Sequence, residues 1–285
     1  MNVKKHINDF KVPDYSVSKE IFQLEKHPDF EILATMPQPN SEDLPGYYKS
    51  EDYISHTDSK RNLFEKLYHA VRTIALKRKL KLINSFNNSE KTLLDIGCGT
   101  GDFLQTALQG NWTISGIEPN PDARKIANAK TKNAVSDATE LSNFILNSFE
   151  IITLWHVLEH LPDLENQIEL YKTLLKDSGT LIIAVPNYKS YDAEYYQKFW
   201  AAYDVPRHLW HFSKEGMSQI MESHGLKVLE TKPMLFDAFY VSLLSEKYKS
   251  GKMNFIKAFW IGFKSNRAAR RSNEYSSLIY IIKKA

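Results

Sequence analysis

The chain has a single cysteine among its 285 residues. One thiol forms neither an internal disulfide nor a cysteine-rich zinc site, so small disulfide-stapled folds and zinc fingers are excluded. No apolar run approaches the roughly 20 residues that cross a bilayer. The polar residues 1–10 do not read as a secretion signal. We therefore expect a cytoplasmic protein.

An excess of charge of one sign is also absent. The sequence has 37 lysines and arginines against 34 aspartates and glutamates, for a formal net charge of +3. This balance gives no argument for a nucleic-acid partner. The basic run of Lys77, Arg78, Lys79 and Lys81 is predicted to be a solvated helix face. At 42% hydrophobic residues the chain can bury a full core.

Glycine is scarce, and three of the 11 glycines fall within five residues. They follow Thr92–Ile96, an apolar run typical of a buried parallel strand. Gly97, Gly99 and Gly101 allow a sharp turn and let a ligand approach bare main chain, and the next helix directs unpaired N–H groups at it. The pattern predicts a site for a nucleotide-like small molecule.

The glycine loop also lacks features of the phosphate-binding loops. Asp102 stands where the dinucleotide fingerprint G-x-G-x-x-G has its third glycine. A pyrophosphate would meet Asp95 and Asp102, and the loop has no Lys or Arg to offset them. The Gly-Lys-Ser/Thr of triphosphate-binding loops is absent as well. A cationic or zwitterionic ligand is favoured, and a nicotinamide-dependent oxidoreductase is the less favoured alternative.

After this loop the chain alternates strands and helices, which predicts a doubly wound, mostly parallel α/β sheet. Glu118 ends the second strand, where a carboxylate can accept both hydroxyls of a ribose. Asp137 follows the third strand, and it is also a candidate helix N-cap with Glu140 completing a capping box. The predicted strands are 92–96, 112–117, 133–136, 149–154, 179–185, 226–230 and 277–282.

The run D-I-G-C-G-T-G with Glu118 and Asp137 downstream resembles the class I methyltransferases that use S-adenosylmethionine. The resemblance implies seven strands in the order 3-2-1-4-5-7-6 and S-adenosylmethionine as cofactor, with S-adenosylhomocysteine as product. It places the methionine end over Gly97–Gly101, the ribose on Glu118, and the adenine between Pro119 and the Asp137–Ala138 turn. The residues it implies around the cofactor are Asp95, Gly97, Cys98, Gly99, Gly101, Glu118, Pro119, Asp137, Ala138, Trp155, Tyr53 and His56, with Tyr48 nearby. Cys98 is interpreted as a small loop residue rather than a nucleophile.

The fourth strand leads into L-W-H-V-L-E-H-L, so Trp155 and His156 should face the cofactor. His156 is a candidate general base, and the alternative is that it only hydrogen-bonds the cofactor or a loop carbonyl. His156, Glu159 and His160 share one helix face. Related quinone-pathway O-methyltransferases bind a divalent metal with an acid, Glu and His at this spacing. Because His replaces the first acid here, we predict no metal site.

Residues 186–212 form an aromatic segment that ends in D-V-P-R-H-L-W-H-F. This segment resembles one in a broad bacterial group of small-molecule methyltransferases, where it covers the active site. Its aromatic side chains are predicted to wall a pocket, with Arg207, His208 and His211 orienting an anion or removing a proton. His208 is thus a second candidate base. The alternative is a segment that covers the core and whose histidines are hydrogen-bonded.

The two ends carry no assigned motif. Residues 1–45, broken by prolines, are predicted to be an N-terminal appendage, and 46–285 the methyltransferase domain. Residues 236–271 are predicted to be a helical insertion before the last strand, with an aromatic face and basic residues. Such a helix either packs on its own domain, as most do, or rests on a membrane surface.

The predicted function is S-adenosylmethionine-dependent O- or N-methylation of a small molecule. Aromatic walls and one arginine suit an aromatic, quinone, glycan or lipid-like acceptor. The alternative is a non-catalytic domain that binds S-adenosylmethionine or a partner. The sequence does not determine the oligomeric state.

Overall fold

The structure is a computed structural model that describes residues 10–40, 42–48, 63–86 and 89–285. Tyr53 and His56, predicted near the cofactor, lie outside the described residues. The described strands are β1 (Phe10–Pro13), β2 (Ile21–Lys26), β3 (Leu33–Met36), β4 (Thr92–Ile96), β5 (Thr113–Ile117), β6 (Val135–Ser136), β7 (Phe149–Trp155), β8 (Leu175–Pro186), β9 (Trp210–His211), β10 (Leu226–Pro233) and β11 (Ser277–Lys284). The described α-helices are α1 (Leu63–Ile83), α2 (Asp102–Gln109), α3 (Pro121–Thr131), α4 (Leu164–Leu174), α5 (Tyr191–Tyr196), α6 (Lys214–Ser223), α7 (Asp237–Ser250) and α8 (Phe255–Ser272).

The larger sheet has seven strands in the spatial order β10-β11-β8-β7-β4-β5-β6. Its β4 to β8 strands pair in parallel, and β11 runs antiparallel between β8 and β10. Numbered within this sheet, the order is 3-2-1-4-5-7-6, so the predicted fold is confirmed. The β8 strand starts earlier than predicted because Leu175 already pairs with Phe149 of β7.

Side chains alternate along each strand, so both faces of this sheet carry apolar residues. Helices cover both faces. On one face Leu94, Ile152 and Ile183 pack with residues of α4 and α6. On the other face Leu93 and Ile151 pack with residues of α1, α2 and α3. Ser213 caps α6 as its position suggests, accepting the Gly216 N–H at 3.0 Å.

Three strands of the sheet end level with one another. Ile96, the last residue of β4, is paired with Ile117, the last residue of β5. On its other side Ile96 is paired with Leu154, the second-last residue of β7. The residues that follow these strands therefore emerge side by side at one edge, where ligands bind in open parallel sheets.

The predicted N-terminal appendage contributes three strands to a second, four-stranded sheet in the order β1-β2-β3-β9. The fourth strand, β9, comes from the aromatic segment, and it pairs Leu33 with His211 and Ala34 with Trp210. Tyr196, Trp200 and Tyr203 are buried in the core of this second sheet. These three aromatic side chains are therefore core residues and not pocket walls, because the apolar faces of β1 to β3 need a covering layer.

The predicted insertion contains α7 and α8, which form a helical hairpin before β11. No helix among the described residues is long and apolar enough to cross a membrane.

Candidate active site

The glycine loop after β4 has an open side and a closed side. Gly99 has φ of +55°, and a Cβ built there would meet no heavy atom within 4 Å. Gly101 has φ of +76°, and a Cβ there would lie 2.9 Å from the Cα and Cβ of Ala127 in α3. A larger residue at Gly101 would separate α2 from α3, whereas Gly99 leaves main chain accessible to a ligand.

Glu118 ties this loop to the end of β5. Its Oε2 accepts the Gly99 N–H at 2.8 Å, and its Oε1 accepts the Asn120 N–H at 2.9 Å. The residue is 8% exposed. Each carboxylate oxygen has a further lone pair, so the fixed carboxylate can still accept two hydrogen bonds.

The Asp137–Ala138 turn lies beside Glu118. Arg124 of α3 donates to the carbonyl oxygens of Glu118 and Pro119 at 2.5 and 2.9 Å, and it pairs with the Asp137 carboxylate at 2.8 Å. Asp137 also caps the 3-10 helix Ala138–Asn143 by accepting the Thr139 N–H at 3.1 Å. Pro119 and Ala138 are exposed. The predicted ribose and adenine residues thus lie together, and the capping alternative for Asp137 holds at the same time.

The expected capping box is not completed by Glu140. Its carboxylate accepts from the Asn143 side chain at 2.8 Å instead of reaching back to the cap.

Asp95 lies buried at the end of β4, under the glycine loop. Its Oδ1 accepts the Thr153 hydroxyl at 2.5 Å. Burial raises the pKa of Asp95 to about 7, against the opposing effects of the Thr153 hydrogen bond and the Lys79 charge. Asp95 therefore titrates near neutral pH in the ligand-free protein.

Lys79 of α1 enters the site, although the basic run that contains it was predicted to be a solvated helix face. Its ammonium lies 4.2 Å from the centroid of the Trp155 ring and 5.6 Å from that of Phe103. Burial lowers the pKa of Lys79 to about 8, although Asp95 and Asp237 oppose this shift. The basic run alone does not distinguish Lys79 from Lys77, Arg78 and Lys81, which are exposed as predicted.

Asp102 is offset by distant cations. Arg72 of α1 and Lys130 of α3 both pair with its carboxylate, Lys130 at 2.8 Å. The loop itself has no Lys or Arg, as the sequence shows, but these two cations from α1 and α3 offset the charge of Asp102. The two cations reduce the repulsion between Asp102 and a pyrophosphate, so the charge argument against such a ligand is weaker.

Lys79, Asp95, Asp102 and residues 97–99 of the glycine loop line a cavity of about 240 Å³, whereas Glu118 and Asp137 lie outside its lining. The Nε1 of Trp155 is buried at this site without a hydrogen-bond partner among the described residues, a state that is rare for buried polar groups. A bound ligand could accept this hydrogen bond. The cavity is lined by Arg72, Ala75, Leu76, Lys79, Asp95, Gly97, Cys98, Gly99, Asp102, Phe103 and Trp155.

Cys98 lines the cavity but is unsuited to nucleophilic attack. Burial and the nearby carboxylates of Asp95 and Glu118 raise the pKa of its thiol well above the ordinary value. Only the thiolate is a strong nucleophile. The interpretation of Cys98 as a small loop residue agrees with this environment.

His156 lies after β7 in a left-handed conformation, with φ of +57°. Its Nδ1 lies 3.3 Å from Oε1 of Glu159, and its Nε2 lies 3.0 Å from Oδ2 of Asp237. Burial disfavours the charged ring, but the hydrogen bonds and charges of Asp237 and Glu159 outweigh it and raise the pKa of His156 to about 10. An imidazolium at neutral pH has no lone pair to take a proton, so this environment disfavours the predicted base role.

The possible metal ligands that lie close together are Glu159, His160 and His208. His156 contacts Glu159 but does not belong to this group. The three side chains could offer a metal ion ligand atoms within 4.8 Å of one another. The Nδ1 atoms of His160 and His208 each lie 2.9 Å from a backbone carbonyl oxygen, those of Arg207 and Ala202. Burial and the neighbouring His208 lower the pKa of His160 to about 4. The other oxygen of Glu159, Oε2, is buried without a partner among the described residues.

A family model described as a methyltransferase domain matches residues 62–231, more than half of the chain. The chain belongs to this methyltransferase family. The class expected from the glycine loop, Glu118 and Asp137 is thereby confirmed.

Curated relatives of this chain match over part of their length. A ubiquinone biosynthesis O-methyltransferase of Actinobacillus pleuropneumoniae is 32% identical over 108 residues, which cover 34% of this chain and 46% of that protein. An uncharacterised methyltransferase of Anoxybacillus flavithermus is 27% identical over 141 residues, 48% of this chain and 61% of that protein. The chain thus spans about half the length of the curated relatives it matches.

Solved structures share the fold of this chain at low identity. Magnesium protoporphyrin IX methyltransferase from Synechocystis, with bound S-adenosylhomocysteine, has a TM-score of 0.56 and 13% identity, covering 86% of this chain and 100% of that chain. An S-adenosylmethionine-dependent methyltransferase from Archaeoglobus fulgidus has a TM-score of 0.51 and 21% identity, covering 78% and 98%.

Arg207 lies in a different environment from the one expected for a group that orients an anion. Its Nε and Nη2 donate to Asp204 at 3.0 and 2.6 Å, and Nη2 also pairs with Asp14 at 3.1 Å. Nη1 donates to the Tyr47 carbonyl oxygen at 2.9 Å, and Nη2 also donates to the Ser16 hydroxyl. Every guanidinium nitrogen therefore has a protein acceptor, which favours a structural role in joining the aromatic segment to the N-terminal sheet.

His208 and His211 of the aromatic segment are both buried. The Thr35 hydroxyl donates to the His208 carbonyl oxygen at 2.6 Å and accepts from Nε2 of His211 at 2.9 Å. Burial and the neighbouring His208 lower the pKa of His211 well below the ordinary value. His211 is thus a neutral, hydrogen-bonded core histidine, whereas His208 remains an untested candidate base.

Proposed function

We propose that this protein transfers a methyl group from S-adenosylmethionine to a small-molecule acceptor. The observation that carries the proposal is the Glu118 carboxylate, which is fixed by the Gly99 and Asn120 amides and retains acceptor capacity. It lies beside accessible main chain at Gly99, at the edge of the sheet where ligands bind.

The residues present fit S-adenosylmethionine. We propose that Gly97, Cys98, Gly99 and Gly101 pack against its methionine portion, that Glu118 accepts its ribose hydroxyls, and that Pro119 and the Asp137–Ala138 turn flank its adenine. Asp95 supplies a carboxylate suited to its positive charge, and the partnerless Trp155 Nε1 supplies a donor. When bound, the sulfonium makes the methyl group electrophilic and its thioether product a good leaving group.

Two comparisons support this cofactor. The Synechocystis relative was solved with S-adenosylhomocysteine, and it shares this fold over 86% of this chain. The curated O-methyltransferase of ubiquinone biosynthesis shares 32% identity over its matched part. Both support methyl transfer. The acceptor that we propose for this chain is a small molecule of an aromatic, quinone, glycan or lipid-like class.

The protein's contribution is alignment of the acceptor with the methyl group, which can supply much of the rate enhancement. His156 holds a positive charge between Glu159 and Asp237, so we propose that it organises the site. Arg207 has the structural role described above. If a side chain removes a proton from the acceptor, we propose His208.

The acceptor test incubates the protein with labelled S-adenosylmethionine and cell extract, and mass spectrometry then identifies any product that gains one methyl group. Calorimetric titration with S-adenosylhomocysteine measures cofactor binding separately. Binding without any methylated product would support the non-catalytic alternative. Tight binding of a nicotinamide cofactor in its place would overturn the proposal.

Once an acceptor is known, His208→Gln and His156→Gln separate the two histidines. A lost general base lowers turnover about a hundredfold or more while cofactor affinity stays intact. We expect this result for His208→Gln, if a base is used, and not for His156→Gln. Turnover unaffected by either replacement would show that the reaction proceeds by alignment alone.

A further inference from the structure

The α7–α8 hairpin places its small residues inside and its large apolar residues outside. Ala258, Gly262, Ser265 and Ala269 form the buried stripe of α8, together with Ile261. A Cβ at Gly262 would lie 2.8 Å from a ring atom of Phe239 and 3.0 Å from the Ala238 carbonyl oxygen, both in α7. The two helices are therefore in close contact through the small residues of α8, and of its exposed aromatic residues only Phe259 has a ring contact with α7 among those described, with Phe239.

The opposite stripe of α8 faces solvent. Ile256 is 86% exposed, Phe259 62%, Trp260 54% and Phe263 43%. The spacing of these residues puts them on one face. Trp260 and Phe263 stack with ring centroids 6.1 Å apart, and Phe259 lies 5.3 Å from Phe239. A contiguous exposed apolar surface of this kind marks a site of interaction with a partner or a membrane.

The same hairpin concentrates positive charge. Residues 236–271 contain eight lysines and arginines against two carboxylates, a net charge of +6 in a chain whose total is +3. Glu246 pairs with Lys257 at 3.1 Å and Asp237 with His156 at 3.0 Å, so both carboxylates are occupied. Arg267 continues the apolar stripe of α8, and Arg270 and Arg271 follow in its last turn.

An exposed stripe of Ile, Phe and Trp bordered by basic residues is complementary to a lipid surface that carries negative headgroups. Trp side chains favour the membrane–water interface. A second copy of the chain fits less well, since a two-fold pairing would bring two strongly positive surfaces together. A helix that spans the bilayer is excluded for the described residues.

We propose that the α7–α8 hairpin docks the protein peripherally on an anionic membrane surface. Ile256, Phe259, Trp260 and Phe263 insert at the interface, and the basic residues contact the headgroups. Asp237 begins α7 and bonds His156 after β7, so the docked hairpin directly contacts the candidate active site. This suits an acceptor dissolved in lipid; that consequence rests on the proposed function, whereas the docking does not.

Vesicle co-sedimentation tests the docking. The protein is mixed with vesicles of phosphatidylcholine alone and with vesicles that also contain phosphatidylserine. We expect binding to the mixed vesicles that weakens with added salt. The Ile256→Ser/Trp260→Ser variant should bind them at least about tenfold more weakly, since it loses two inserted apolar groups. The Arg267→Gln/Arg270→Gln variant keeps six of the eight cations of residues 236–271, so its preference for the anionic vesicles should weaken.

The matched control is Ile145→Ser, because Ile145 is 79% exposed and lies outside the hairpin. It should bind vesicles like the unchanged protein. Circular dichroism and thermal unfolding confirm that each variant is folded, and Ile256→Ser alone serves if the double variant is not. Calorimetry with S-adenosylhomocysteine on the same samples tests the proposed function independently.

Three results would overturn the proposal. One is failure of the unchanged, folded protein to sediment with anionic vesicles. Another is equal loss of binding in Ile145→Ser. The third is a dimer in analytical ultracentrifugation that Ile256→Ser/Trp260→Ser dissociates, with no vesicle binding, which would make this surface a self-association interface.

Discussion

Replacing Glu118 with Ala should weaken cofactor binding at least about tenfold, which corresponds to about 1.4 kcal/mol. The carboxylate has about four lone-pair positions, and the Gly99 and Asn120 amides use two of them, at 2.8 and 2.9 Å. The two that remain match the two hydroxyls of a ribose. Hydrogen bonds to a charged group contribute about 1.5–3 kcal/mol each, and water recovers part of this loss in the variant.

The same replacement should destabilise the fold modestly. Asn120 is exposed and its amide can bond water, whereas the Gly99 amide is only partly exposed. Leaving one such donor unsatisfied costs about 1–2 kcal/mol, and each kcal/mol lowers the melting temperature by about 2–4 °C. Affinity is therefore measured well below the melting temperature.

Calorimetric titration with S-adenosylhomocysteine gives the affinity. Glu222→Ala is the matched control, since Glu222 is an exposed glutamate of α6, and it should leave affinity unchanged. An analogue that lacks both ribose hydroxyls completes a double-mutant cycle. It should bind the unchanged protein weakly but lose little further affinity in Glu118→Ala. Unchanged affinity in a folded Glu118→Ala protein would refute the ribose assignment.

Three further results are expected. Because the pKa of Asp95 is raised to about 7 in the free protein and a cation favours its ionised form, affinity for S-adenosylmethionine relative to S-adenosylhomocysteine should rise with pH up to about 7 and then level off. Asp95→Asn should remove this rise in titrations across pH, and a rise that persists would exclude Asp95 as its source. Arg207→Ala removes the counter-charge of the buried Asp14 carboxylate, which keeps hydrogen bonds from Ser16, Val17 and Ser18. The variant should therefore lower the free energy of unfolding by about 3 kcal/mol, the lower end of the cost of breaking a buried ion pair, with S-adenosylhomocysteine affinity unchanged; lost affinity in a folded variant would revive a ligand-binding role. The pKa of His156 is raised to about 10 from about 6.5 in the unfolded chain, so its stabilising contribution is full below about 6.5 and is lost as pH rises toward about 10. Urea unfolding across this range should show the unchanged protein converging with His156→Gln, and a constant difference would contradict the charge assignment.

The sequence by itself determined the class of fold and which residues lie together after the first two strands of the larger sheet. The apolar run 92–96, the glycines after it, and Glu118 at the end of the next strand are local patterns. Strand period and turn chemistry are local properties, so they can be recognised without knowledge of distant contacts. The strand order followed from alternation and from the resemblance, and the structure has that order.

Only the tertiary structure decided what the long-range partners are. Arg207 meets Asp14 from 193 positions away, and His156 meets Asp237 from 81 positions away. These pairings turn a predicted anion-binding group into a structural one and a predicted base into a cation. An aromatic run such as residues 191–203 reads the same whether it walls a pocket or fills a core, because burial of apolar area is non-directional. The structure shows that Tyr196, Trp200 and Tyr203 of this run fill the core against the second sheet. The sequence alone did not predict that sheet or its apolar face.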